Sequence, residues 1–402
     1  MWKCKKGLAR YQKRIYNIVM IKGVVCLDLG GNMKLKRLAA LVLAGAMCLT
    51  SLVGCGVKPD ETAATLGDTK VSAGLVNFIC KYQKACMDDT YIAYFGDAFW
   101  QSDMYGNGTT MEDNVKASIM ADLHELYTVK AHMAEFKVEL TDDEKAAITK
   151  AAQAFIAANS KEALKEMGAT EEYVVEMLTL YTIQEKMFDA IVVGADHNVK
   201  DEDANMRGIT LVQINIAGKY NDQGTYVKYT EDEIKDIKLV AKKIANEAVS
   251  VGLEKAAKDN KYTAEDTAYN MKDTSMDATL LKALNELKVG ETSNVIETKS
   301  VLYIAKIDED VDKKATEENK KAIIAERESK YYSEKIKEWQ KDDGWTVDES
   351  VLDKIDFHHI LTQKDPNATS TQKVDSTQKT ESTEKVESTE KGTETTETTE
   401  SK

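Results

Sequence analysis

Between Pro59 and Pro366 the chain has no proline, and these two are the only ones in its 402 residues. Proline lacks a backbone donor and collides with the preceding helical turn, so its absence leaves helices free to run for many turns. Lys, Glu and Ala, all good helix formers, are abundant over the same stretch. The chain should therefore be mainly helical, with sheet confined to places where the pattern changes. One such place is Ile209-Thr210-Leu211-Val212-Gln213-Ile214-Asn215-Ile216, a β-branched apolar run that reads as a strand.

Before that strand the pattern is helical. Residues 55–63 read as a tether. From Ala64 a short strand, a turn at Gly67-Asp68 and a helix beginning after Ser72 are expected, with Val76, Ile79, Cys80 and Gln83 at helical spacing. An aromatic segment comes next, with Tyr91, Tyr94, Phe95, Phe99 and Trp100, then Tyr105. It has two readings: core filling for a helical domain, or an apolar cradle for unfolded peptide. Residues 111–136 form a helix whose apolar face is Ile119, Leu123, Leu126, Tyr127 and Val129. Thr141-Asp142-Asp143-Glu144 is a capping box opening the next helix. Gly168 should stop a helix, and Thr170 should cap another over 171–193. Residues 64–200 are thus expected to form a helical domain.

Residues 201–312 are expected to be an α+β unit, in the order strand, helices, strand, strand. Thr230-Glu231-Asp232-Glu233 is a second capping box, opening a helix from 231 to about 250. Shorter helices are expected near 253–259 and 277–287. Asn294–Thr298 and Val301–Ile307 are strands joined at Lys299-Ser300. Residues 313–364 begin with a long charged helix over 314–340, after which Trp345, Val347, Val351, Ile355 and Phe357 form a last structured element. Residues 365–402 contain no aromatic, Leu or Ile and repeat Ser-Thr pairs every six residues from Ser370-Thr371 to Ser388-Thr389. Such a tail cannot bury a core and is expected to be disordered.

The front of the chain speaks to location. Met33-Lys34-Leu35-Lys36-Arg37 is basic, Leu38 to Val53 is an apolar stretch of 16 residues, and Gly54-Cys55 comes directly after it. These are the parts of a secretory signal over 33–54, and the stretch is shorter than the ~20 residues of a membrane span. Leu52-Val53-Gly54-Cys55 resembles the lipobox of bacterial lipoproteins, which implies a lipid on Cys55 and a chain held on the extracytoplasmic face of the cell membrane. An ordinary signal peptide or an uncleaved anchor is the other reading. Residues 1–32 fit neither, and translation is expected to start at Met33.

Taking off residues 1–54 removes ten basic residues and one acidic one, so the formal charge moves from −14 to −23. A chain this acidic repels nucleic acid and anionic lipid heads, so the membrane should be met through the lipid alone. Cys80 and Cys86 lie six apart on an expected helix and face different directions, which favours thiols over a disulfide. No CxxC, zinc spacing, P-loop or Ser/His/Asp set is present, so neither metal nor cofactor is expected. His124, His132, His197 and His358-His359 suggest no catalytic or metal site.

The order of parts resembles the PrsA-like foldase lipoproteins, relatives of the SurA chaperone that carry a parvulin-type (PpiC) peptidyl-prolyl isomerase domain. The sharpest piece is Leu287-Lys288-Val289-Gly290-Glu291-Thr292-Ser293-Asn294-Val295-Ile296-Glu297-Thr298, similar to the parvulin stretch Leu-Lys-x-Gly-Glu-x-Ser. Arg207–Ile216 stands where the family's first strand belongs, and Val301–Ile307 where its last belongs. The resemblance implies an α+β fold, a mainly helical chaperone domain with an inserted parvulin-like small sheet, and unfolded secreted proteins as partners. It makes Tyr91, Tyr94, Phe95, Phe99 and Trp100 the candidates for client binding.

Parvulins place one histidine on the first strand and one on the last, beside an aromatic proline pocket. Here the first position falls on Gly208 or Ile209, the last on Tyr303, the pocket Phe on Leu280 and the helix-start Phe on Leu253. No histidine lies between His197 and His358, so no change of register restores the pair. Met276, Leu280, Tyr303 and Leu253 are then candidates for a vestigial cleft, with weak or no isomerase activity. An active isomerase using a non-histidine network, and a solute-binding lipoprotein, are the competing readings.

Overall fold

In the computed structural model, which describes residues 56–96 and 98–358, the two ends of the folded chain meet in one sheet. Strand β1 (Thr62–Leu66) lies between β2 (Thr69–Ser72) and β9 (Trp345–Val347), antiparallel to both. The turn from β1 to β2 uses Gly67 at φ 55, a left-handed conformation that glycine adopts without strain. Asp348 donates its backbone N–H to the Ala63 carbonyl at 2.8 Å, and Lys354 pairs with Glu61 at 2.8 Å. The expected last structured element is therefore a strand and a short helix, α11 (Glu349–Leu352), closing onto the first strand. Cys55, the expected signal and upstream residues 1–54, His359 and the 365–402 tail lie outside the described residues.

Helices dominate residues 73–192. Ser72 caps α1 (Ala73–Phe95), its hydroxyl accepting from the Leu75 amide. Capping boxes open α2 (Met111–Ala131) at Thr110/Asp113 and α3 (Asp142–Ala158) at Thr141/Glu144. α4 (Lys161–Met167) stops at Gly168, whose φ is 63, and Thr170 caps α5 (Glu171–Val192). The helix expected over 111–136 breaks at His132 and resumes as a 3-10 turn over Met133–Phe136. Leu75, Phe78, Leu123, Phe155 and Met177 belong to the main core. Each such burial is worth roughly 1.5–3 kcal/mol. The long α10 (Lys313–Gln340) returns after the sheet and joins a second core through Tyr332 and Ile336, with Val129, Ile183 and Met187.

Cys86 is disulfide-bonded, which corrects the expectation of a thiol there, whereas Cys80 is a free, buried thiol whose pKa burial pushes up to about 12. It fills space and is not poised to react.

The second sheet has the order β6-β3-β8-β7 and is antiparallel throughout. Its strands are β6 (Ala264–Tyr269), β3 (Arg207–Asn215), β8 (Val301–Glu309) and β7 (Ile296–Glu297). Side chains alternate between its faces. Val212, Ile214, Leu302 and Ile304 face α7 (Glu231–Val251) and α8 (Leu253–Asp259). Ala241, Ala245, Ala248, Ala256 and Ala257 let these helices lie close to the strands. Ile209, Leu211, Ala305 and Ile307 face the other way, toward α9 (Ala278–Glu286). Two features were not expected: β6, and a hairpin of β4 (Gly218–Tyr220) and β5 (Tyr226–Lys228) between β3 and α7. α6 (Asp201–Ala204) leads into β3 and is held to α10 by Lys320–Asp201 at 2.7 Å and by Asn319, which donates to the Ala204 carbonyl.

Candidate functional site

The face of the second sheet under α9 is where the parvulin resemblance locates a proline cleft. The motif that carries the resemblance builds its rim. Gly290, at φ 84, turns the chain and donates to the Ile307 carbonyl at 2.8 Å, and the Ile307 amide donates to the Glu291 carbonyl at 3.1 Å. The buried Ser293 exchanges bonds with Ala305: its amide donates to the Ala305 carbonyl, and its hydroxyl accepts from the Ala305 amide. The Glu291 carboxylate also accepts from the Lys288 amide. Gly290, the Glu291 carbonyl and Ser293 therefore pin the loop to β8.

Met276, Leu280 and Tyr303 come together here with Ile209, Tyr269 and Leu284. Leu280 is buried, while Met276 and Tyr303 keep partial exposure. Tyr303 pairs with Gln213 and with Ile296, so its ring stands on the α9 side of the sheet. Burial raises the Tyr303 pKa, helped by the charge of Asp277. Leu253 does not join them. It sits at the start of α8 and packs against the opposite face, because α7 and α8 cover the side that Val212 and Ile214 present. Its candidacy for this cleft is corrected accordingly.

Sequence reasoning overlooked Arg207. It opens β3 on the same face, is only 5% exposed, and fills the end of the cleft. Its guanidinium donates to the Tyr269 hydroxyl at 3.1 Å, to the Leu284 and Leu287 carbonyls at 3.1 and 3.0 Å, and to Asp310 at 2.9 Å. Burial works against its charge, but Tyr269 and Asp310 outweigh that and raise its pKa. The available signal was a lone cation beginning an otherwise apolar strand. Arg207 uses its donors on the fold, tying β6, α9 and the strand ends together. The polar groups on this face thus include Arg207, Tyr269 and Tyr303, all with raised pKa values.

The aromatic segment divides as well. Phe99 and Trp100 form a 3-10 turn after α1 and are 2% and 1% exposed. The Trp100 indole donates to Asp88 at 2.8 Å and meets the Phe357 ring edge-on at 5.0 Å. These two are core, which corrects their place among the client-binding candidates. Tyr94 and Phe95 are 79% and 52% exposed, and Met104 and Tyr105 are exposed as well. Tyr91 is half-buried between them, stacked on Phe99 at 4.8 Å, and Phe95 stacks on Phe99 at 5.5 Å. The tip of α1 is thus an apolar surface on a base of stacked, buried rings.

Among the described residues no group of three or more His, Cys, Asp or Glu is placed to hold a metal ion, and no helix is long and apolar enough to cross a membrane.

These parts define an α+β chain, a helical region interrupted in sequence by a small parvulin-like sheet. In sequence the chain is PrsA-like: it is 29% identical over 198 residues to Foldase protein PrsA of Clostridium botulinum strain Loch Maree, and equally to that of strain Langeland. The match takes in 45% of this chain and 56% of each relative, so the chain spans about half the length of the curated relatives it matches. No family model matches. Among solved structures, the foldase PrsA of Lactococcus lactis aligns at 16% identity and a TM-score of 0.32, over 73% of this chain and 96% of that one. Peptidylprolyl isomerase PrsA of Bacillus cereus aligns at 14% and 0.29, over 74% and 98%.

Proposed function

We propose that this chain is an extracytoplasmic folding factor for secreted proteins that works by holding non-native polypeptide. In this reading Cys55 carries the lipid, residues 64–200 with 313–364 form the holding part, and residues 201–312 are a parvulin-like insert with little or no isomerase activity. Sequence similarity to foldases supports the first point.

The observation that carries the second is the chemistry of the α9 face. Rotation about an X–Pro bond faces a barrier of ~20 kcal/mol. A catalyst must stabilise the twisted amide with an apolar pocket and polar groups aimed at the carbonyl. Here the first-strand position is Gly208 or Ile209 and the last is Tyr303. The strongest donor on this face, Arg207, is committed to two backbone carbonyls and a carboxylate.

A proline-peptide assay on the chain from Gly56 onward tests this. The expected rate is that of the uncatalysed peptide. A rate like that of an active parvulin, lost on Tyr303→Phe, would establish the competing non-histidine isomerase.

A further inference from the structure

A concavity of about 400 Å³ lies on the other side of the same sheet, where Tyr229, next to the β4–β5 hairpin, meets the start of α7. Ile214, Tyr229, Ile237 and Tyr262 give it an apolar and aromatic lining, Glu233 and Asp236 give it carboxylates, and no basic residue lines it. The hairpin carries exposed apolar surface: Tyr220 and Tyr226 meet edge-on at 5.3 Å, and Val227 is exposed with them.

The chain itself shows what one corner of this groove does. The Lys219 ammonium lies 3.2 Å from Glu233 and 5.4 Å from the centre of the Tyr229 ring. A carboxylate and an aromatic face together hold a cation there. The Thr230 amide, then Lys219, hold the Glu233 carboxyl below its usual range. Asp236 and Tyr262 offer the same pair of chemistries, and among the described residues Asp236 makes no ion pair. Ile214 and Ile237 supply apolar wall for an aliphatic stem.

We propose that this groove binds an extended polypeptide through a Lys or Arg side chain flanked by apolar residues, the cation meeting Asp236 and Tyr262. The charge of −23 beyond residue 54 favours such a basic segment over an acidic one. Only the origin of the peptide, a non-native secreted chain, rests on the folding-factor reading.

The test is fluorescence anisotropy with the chain from Gly56 onward and a labelled Gly/Ser peptide bearing a central Leu-Lys-Phe, against its Leu-Gln-Phe counterpart. The Lys peptide should bind more tightly, and Asp236→Asn and Tyr262→Ala should each weaken it about threefold, with Asp236→Asn erasing most of the preference for Lys. Lys219→Ala should strengthen it about twofold by removing a competing cation. Asp236 is exposed on α7, so its replacement leaves the fold intact. Equal binding of the two peptides, or indifference to Asp236→Asn, would overturn the proposal. So would tighter binding after truncation at Asp365, because the occupant would then be the chain's own lysine-bearing tail. If the chain still suppresses client aggregation in any of these cases, the folding-factor reading survives without this site.

Discussion

The tip of α1 and the α9 face of the sheet use the same materials, large apolar and aromatic side chains, to opposite effect. At the sheet face, Leu280 and Leu284 cover the strands and Arg207 ties off the end. At the tip, Phe99 and Trp100 are buried as a base and Tyr94 and Phe95 stand in solvent on top of it. Catalysis on an amide needs polar groups left over from folding and aimed into an open pocket. Holding an unfolded chain needs only exposed apolar area that keeps its shape. On the sheet face Arg207 and Tyr269 are bonded within the fold, and the tip has kept its area. The proposal that the helical region does the holding rests on this difference.

The comparison can be broken at either end. The largest effect is expected from Trp100→Ala, which removes a buried ring and leaves Asp88 without the indole donor. It should cost about 3–5 kcal/mol, read as a fall in denaturant midpoint, and should loosen the tip with it. Arg207→Met comes next. It strips the Leu284 and Leu287 carbonyls of a donor while Asp310 stays largely in solvent, so a loss of about 2–3 kcal/mol is expected. Hydrogen exchange should rise in β3 and α9 and stay unchanged in α1.

A smaller effect belongs to the turn between α10 and β9, where it packs on α2. Asp343 accepts from His124 at 2.7 Å, from the Thr128 hydroxyl at 3.0 Å and from the Trp345 amide at 3.1 Å. Burial works to raise its pKa, but these partners outweigh that and lower it. A depressed carboxyl contributes stability that is present above the unfolded value of about 4 and is lost as pH falls toward the folded one. Asp343→Ala should therefore cost about 1–2 kcal/mol at neutral pH, and less in acid, with the difference read from urea curves at pH 7 and pH 3.

Local signals were legible in the sequence. Both expected capping boxes, the Ser72 and Thr170 caps and the Gly168 stop form as read, because each is settled within four residues. Two elements fixed by distant partners were not. β6 has no alternation of its own, since Ala264-Glu265-Asp266-Thr267-Ala268-Tyr269 becomes a strand through its pairing with β3. β9 is a strand because β1 is its neighbour across most of the chain. At the candidate sites the residue types were legible and their burial was not. Six consecutive residues hold the exposed Phe95 and the buried Trp100, and only the 3-10 turn decides which is which. Arg207 was hidden for a related reason, since its partners come from β6, α9 and the loop after β8.

Within the proposed holding part, we propose that the tip of α1, with its exposed Tyr94 and Phe95, is where clients are held. Light scattering of a chemically denatured client, diluted into equimolar chain from Gly56 onward, measures it directly. Wild type should suppress aggregation, and Tyr94→Ser with Phe95→Ser should abolish most of that protection without shifting the thermal midpoint by more than a few degrees, because Tyr94 is in solvent and Phe95 is half-exposed, giving up only its stacking on Phe99. Equal protection by the double variant would contradict the account.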